Sequence, residues 1–202
     1  MKKTYIAIDG GYLRAVFRRS GYSFGADGID KFARHCLDKG EELLKVLFYD
    51  CLPYQTPEGG KEILHPVTKV PLTQKSKKVF WDLEQKDLFA LRLGTLVFRG
   101  WHLRPGTDGK KEKDYKATFQ QKGVDMRIGL DMASLAELRL ADRIILLSAD
   151  TDLIPAMKLC RKRGIQVVAI QLPSTPLPPK LIAHTDILRR KEWCKGLTRE
   201  RK

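Results

Sequence analysis

Asp150 and Asp152 stand one residue apart, directly after the apolar run Ile144-Ile145-Leu146-Leu147. Four consecutive aliphatic residues bounded by turn-formers read as a strand buried on both faces. The two carboxylates then fall at its carboxyl end, where open α/β sheets bind ligands. Asp9 repeats the arrangement, closing Thr4-Tyr5-Ile6-Ala7-Ile8 and preceding Gly10-Gly11. Asp125 stands at the start of a helical stretch after Gly123-Val124. Each acid alone has a structural account, because a carboxylate in a first helical turn caps backbone N–H groups and favours the helix dipole. Four acids meeting at one crevice would instead repel one another. A divalent cation removes that repulsion, and a set of oxygen ligands selects Mg²⁺ or Mn²⁺. Asp9, Asp125, Asp150 and Asp152 are therefore the candidate metal ligands and catalytic residues, with Asp152 keeping an equal claim as a helix cap.

Other chemistries fit the chain poorly. His35, His65, His102 and His184 are dispersed, and the sequence contains no GxSxG, GxxxxGK[ST] or GxGxxG signature. Cys36, Cys51, Cys160 and Cys194 lack CxxC spacing and read as reduced thiols of a cytoplasmic protein. The apolar segment after Met1-Lys2-Lys3 is cut short by Asp9, so neither export nor a membrane span is expected. Lys and Arg number 38 against 24 Asp and Glu, a net charge of +14 that points to a polyanionic partner. Lys122, Arg14, Arg18, Lys110, Lys111 and Lys113 are the candidate phosphate contacts, and Tyr12 or Trp101 offers a stacking face for an unpaired base.

The elements that must position these groups follow from periodicity. Strands are expected at residues 4–8, 43–49, 95–103, 144–147 and 165–170. Helices are expected at 28–42, at 77–92 with Ser76 as its cap, from Gly123 to about Leu140, from Leu153 to Arg163, and briefly near Leu181. Residues 53–73 and the basic stretch 104–122 read as mobile loops, and residues 189–202 as a basic tail. Five alternations of strand and helix predict a single domain, a three-layer α/β sandwich on a mostly parallel five-stranded sheet. With the first strand central the order is 3-2-1-4-5, and the crevice at the switch point lies between the strands that end on Asp9 and on Asp150.

Tyr5-Ile6-Ala7-Ile8-Asp9-Gly10, Gln121-Lys122-Gly123-Val124-Asp125 with Asp131-Met132, and Ser148-Ala149-Asp150-Thr151-Asp152 together resemble the NYN domain, a branch of the PIN-like nucleases, and in particular its LabA-like bacterial members. The resemblance spans about residues 4 to 190. It implies a PIN-like, Rossmann-like fold and a ribonuclease dependent on Mg²⁺ or Mn²⁺. Asp9, Asp125, Asp150 and Asp152 match the acidic cluster of that family. Asp131 also matches, but six residues along a helix turn it about 120° from Asp125, so it is expected to support the cluster from behind. Ser148 matches the small hydroxyl residue that backs the site. Tyr12 stands where the family usually carries Asn, so the amide of that position is absent.

Hydrolysis of RNA phosphodiester bonds by an endoribonuclease acting on single strands is the expected function. A catalytically silent RNA- or protein-binding regulator on the same fold is the main alternative, and a phosphatase of small phosphates a third; the charge and the long loops favour a polymer. A homo-oligomer is compatible with the sequence.

Overall fold

The computed structural model describes residues 1–54, 61–72, 77–173 and 175–199. Ser76, expected to cap a helix, lies outside them, as do parts of the expected loop at 53–73 and the last residues of the tail.

Seven strands form one sheet, numbered in chain order β1 (Lys2–Asp9), β2 (Glu41–Cys51), β3 (Phe89–Leu103), β4 (Tyr115–Lys122), β5 (Arg143–Leu147), β6 (Gln166–Gln171) and β7 (Ile187–Arg190). Their order is β4-β3-β2-β1-β5-β6-β7. The expected 3-2-1-4-5 order is present in its middle as β3-β2-β1-β5-β6, all parallel, but β2 pairs with Phe89–Gly94 of β3, whereas the expected third strand at 95–103 pairs with β4. Two strands must be added to the expected five, and the sheet is mixed. Residues 115–122, expected to belong to a mobile loop, form β4 and pair antiparallel with β3. Residues 187–190, at the start of the expected tail, add β7 beside β6.

Both additions were hidden for the same reason. Edge strands take their backbone hydrogen bonds from one neighbour and keep polar side chains on the solvent face, so Lys116, Gln120 and Lys122 blur the apolar pattern of β4. The tail beyond β7 is folded down as well. Trp193 packs edge-on to Phe17, with ring centroids 5.3 Å apart, and Ser23 N–H donates to the Thr198 carbonyl at 2.8 Å.

Helices cover both faces. The first, α1 (Gly10–Arg19), with α2 (Ala26–His35) and α3 (Lys78–Glu84), packs on a core that includes Ile6, Ile8, Phe48 and Leu147. On the other face α4 (Val124–Glu137) and α5 (Ile154–Lys162) cover Ala7, Tyr49, Leu146 and Val167. The short α6 (Pro179–Ile182) stands where a helix near Leu181 was expected. The expected helix at 77–92 ends at Glu84, and Phe89 already belongs to β3, because Leu88 adopts a positive φ of 70° that ends helical geometry. No helix among the described residues is long and apolar enough to cross a membrane.

The amino end of the sheet is closed by a buried ionic clamp. Glu41 opens β2 and accepts hydrogen bonds from Arg143, which opens β5, and from Arg189 of β7, whose Nη2 and Nη1 lie 2.5 and 3.0 Å from it. The clamp ties three parallel strands together at the end away from the acids.

Candidate active site

β1 and β5 lie side by side, with Ile8 opposite Leu147. The residues that follow, Asp9 and Ser148, therefore leave the sheet together at the switch point. The Asp9 Oδ1 accepts from the Tyr12 N–H at 3.0 Å and starts α1, while Ser148 Oγ donates to Asp9 Oδ2 at 3.3 Å. Ser148 is fully buried. Its hydroxyl oxygen also accepts from the Asp150 N–H at 3.1 Å, and Asp150 Oδ1 accepts from the Asp152 N–H at 2.9 Å. One hydroxyl thus ties the end of β1 to the turn that carries Asp150. The capping account of these acids is real, since Asp9 caps α1 and Asp150 caps the single 3₁₀ turn Thr151–Leu153.

Electrostatics add what capping does not explain. Burial pushes the Asp9 carboxyl up and the charges of Asp125 and Asp50 push it further, against the Tyr12 and Ser148 hydrogen bonds. Asp125, in the first turn of α4, is raised by burial and then by Asp150 and Asp152. Carboxylates from β1, α4 and the turn after β5 therefore sense one another's charge. Their spacing is open: among the described residues no three His, Cys, Asp or Glu side chains are close enough to form a ready-made metal cage. The donor set is nevertheless all oxygen, which suits Mg²⁺ or Mn²⁺.

Asp131 is not part of this group. It accepts from the Tyr49 hydroxyl at 2.9 Å and from Arg92 Nε at 3.0 Å, on the side of α4 turned toward β2 and β3. Its expected role behind the cluster is replaced by an anchor between helix and sheet, as the 120° turn from Asp125 allows.

Asp50 follows directly on the strand expected at 43–49 and was not among the candidate site residues. It is fully buried at the end of β2, accepts from Arg14 and from Gln121 Nε2 at 3.2 Å, and lies close enough to Asp9 to raise it. Burial raises Asp50 itself, against the neighbouring Arg14 charge. The signal was the one that singled out Asp9, an acid closing an apolar strand; its guanidinium partner, 36 positions away in sequence, was not visible. Gly10 makes the packing possible, because a Cβ there would sit 2.6 Å from Asp50 Oδ2 and 2.8 Å from the Phe48 ring. Gln121, also unforeseen, reaches from β4 to Gly11, where a Cβ would sit 2.9 Å from its Oε1. An amide thus lies beside the first turn of α1, delivered by β4 rather than by the helix that carries Tyr12.

The expected nucleic-acid contacts separate into groups. Arg14 is committed to Asp50 and stacks over Phe24 at 4.8 Å. Tyr12 packs against both cores, its buried hydroxyl without a hydrogen-bond partner among the described residues, so little of the ring is left as a stacking face. Arg18 is exposed in the last turn of α1, and Lys122 is exposed at the site end of β4. Lys110, Lys111 and Lys113 are exposed at the other end of the β3–β4 hairpin.

Comparison with known proteins fits this geometry. Residues 107–187 match the model of the NYN domain, which belongs to the PIN-like nuclease superfamily. The match takes in Asp125, Ser148, Asp150 and Asp152 and starts well after Asp9; it does not distinguish a LabA-like branch. A crystal structure of a protein of unknown function from Vibrio parahaemolyticus shares the fold, with a TM-score of 0.56 at 16% identity, over 94% of this chain and 92% of that one. No curated protein matches the chain.

Proposed function

We propose, taking the NYN domain matched by residues 107–187 as the premise, that this protein is a divalent-metal-dependent endoribonuclease acting on single-stranded RNA. The observation that carries the reading is the coupling of carboxylates from separate elements, Asp150 and Asp152 acting on Asp125 and Asp125 on Asp9. Capping accounts for each acid singly, whereas holding their like charges near one another costs stability without a cation.

The open spacing suits Mg²⁺, which keeps several waters and is commonly held by one or two carboxylates plus substrate phosphate rather than by an all-protein cage. Asp9, Asp125 and Asp150 would hold the ion, with Asp152 at its edge. Once bound it supplies Lewis-acid polarisation of the phosphoryl oxygen and activation of water.

The remaining work belongs to the chain's own groups. Ser148 holds Asp9 and the Asp150 turn in one arrangement. Lys122, exposed just before Asp125, offers a cation to the scissile phosphate or its neighbour. The net charge of +14 supplies the long-range attraction for a polyanion. Four cysteines free of disulfides suit the cytoplasm, and a homo-oligomer is compatible with the reading.

The test is incubation of purified protein with end-labelled RNA and DNA in Mn²⁺, Mg²⁺ or EDTA, beside Asp150→Asn. Internal RNA cleavage that requires the metal and is lost in the variant is expected. Cleavage that survives EDTA or the substitution overturns the reading. The same open spacing of the acids favours, as second reading, a regulator that binds RNA without cutting it; binding with intact RNA in every lane would establish that one.

A further inference from the structure

The β3–β4 hairpin carries a second concave feature at the end remote from the acids. Trp101, Tyr115 and His65 form its aromatic lining, and Lys111, Glu112 and Lys113 its rim, around a cavity of about 570 Å³. That volume falls in the range that accommodates a compact organic ligand.

Its construction is specific. Leu103 pairs with Tyr115 and Trp101 with Ala117, which puts the Trp101 and Tyr115 side chains on one face of the hairpin. His65, buried under the segment 61–72, meets Trp101 edge-on at 4.7 Å and Tyr115 at 5.8 Å. The Val67 and Thr68 N–H groups donate to His65 Nδ1 at 3.2 and 3.3 Å, so the ring proton belongs on Nε2, 3.2 Å from the Glu112 carbonyl. The imidazole is therefore a strut between loop and hairpin.

Three groups stand out. The Trp101 Nε1–H is buried and has no acceptor among the described residues, a state that costs free energy. Lys111 and Lys113 are exposed at the rim. Aromatic faces, one unpaired N–H donor and two ammonium groups together fit a flat heterocycle with acceptor edges and a phosphate beside it.

The pocket also shares a face with the site. Tyr115, Ala117, Phe119 and Gln121 alternate onto the same side of β4, and Gln121 lies against Gly11, two residues from Asp9. Six residues of strand separate Tyr115 from Gln121, about 20 Å. We propose that this pocket is a second subsite for the RNA, taking an unpaired base and its phosphate from the same strand whose backbone lies at the acids. The inference rests on the RNA-directed reading above. A paired base could not enter, so the subsite selects single strands.

The experiment measures binding rather than cleavage. A fluorescently labelled single-stranded RNA of about 12 nucleotides, within the span of single-strand binders, is titrated by anisotropy in EDTA with the parent protein, Trp101→Phe and Lys111→Ala/Lys113→Ala. Trp101→Phe keeps one aromatic ring and removes the pyrrole half of the indole together with its N–H. The Kd is expected to rise about three- to tenfold for Trp101→Phe and about tenfold or more for the lysine pair. Thermal melts check that each variant is folded.

Long-RNA Kd values within twofold of the parent for both folded variants overturn the proposal, as does equal weakening of a duplex of the same sequence. Loss of binding in the variants of a protein that never cleaves RNA would leave the pocket standing and defeat the nuclease reading. Metal-dependent cleavage by a protein whose pocket variants bind normally would do the reverse.

Discussion

Ser148 donates its hydroxyl to Asp9 across the junction of the two central strands, Oγ to Oδ2 at 3.3 Å, while accepting the Asp150 N–H at 3.1 Å. Two acids far apart in sequence are thus oriented by one small side chain with no exposure of its own. Ser148→Ala leaves the half-buried Asp9 without this donor and frees the Asp150 turn. The lost hydrogen bond to a charged group is worth about 1.5–3 kcal/mol. Metal-dependent activity should fall about 10- to 100-fold, and the acid limb of the pH–rate profile should move to higher pH, since this bond holds the Asp9 carboxyl down.

Asp125 separates the helix-capping account from the site account. If it only favours the dipole of α4, Asp125→Asn should cost about 0.3–1 kcal/mol. If like charges are being held together for a cation, the same change relieves repulsion from Asp150 and Asp152. We expect the metal-free variant to melt at the parent temperature or above it, while cleavage is lost. Its thermal stabilisation by added Mn²⁺ should also shrink relative to the parent. Differential scanning fluorimetry with and without the ion reads both effects.

Arg14 and Arg18 lie four residues apart on α1 and should behave differently. Arg14 is the partner of the buried Asp50. The Arg14 side chain is 42% exposed, so solvent screens the pair and its loss should cost less than the about 3–5 kcal/mol of a fully buried one; Arg14→Ala should still lower the denaturant midpoint. Arg18 is exposed, so Arg18→Ala should leave the midpoint within about 0.5 kcal/mol and flatten the salt dependence of RNA binding by about one unit of slope.

The clamp at the opposite end of the sheet predicts an acid transition. Burial alone would raise Glu41, but the hydrogen bonds from Arg189, Arg143 and the Asp38 N–H overcome it and hold the carboxyl down at about 2, against 4.5 unperturbed. Its contribution is present in full above pH 4.5 and is lost as pH falls toward 2. The ceiling on that contribution is roughly 3 kcal/mol. Asp9 and Asp125 have the opposite sign: their raised values cost stability at neutral pH, and protonation relieves that cost as pH falls. Urea melts between pH 7 and 2.5 should show the low-pH loss, and Glu41→Gln should remove most of it.

Much of the site was legible because strand and acid occur together locally. Ile144 to Leu147 followed by Asp150, and Tyr5 to Ile8 followed by Asp9, need only short windows of sequence, and the switch-point rule then places them side by side. Asp50 carried the same mark at the end of β2. It escaped because the test of its role is a guanidinium from α1 and an amide from β4, and periodicity carries no information about either.

The amino-acid sequence by itself determined the parallel core β2-β1-β5-β6, since buried strands must be apolar and crossover helices amphipathic wherever they pair; the stretch of β3 that joins it, Phe89–Gly94, lay largely in an expected helix. The sequence also determined that carboxylates end those strands. Tertiary structure alone decided that residues 115–122 pair with β3, that the tail folds back on Phe17, and that Asp131 turns to Tyr49 and Arg92 instead of the acids. Those outcomes depend on which distant backbone or side chain satisfies a polar group. A half-exposed strand or a lone acid has several acceptable partners until the packed core excludes all but one.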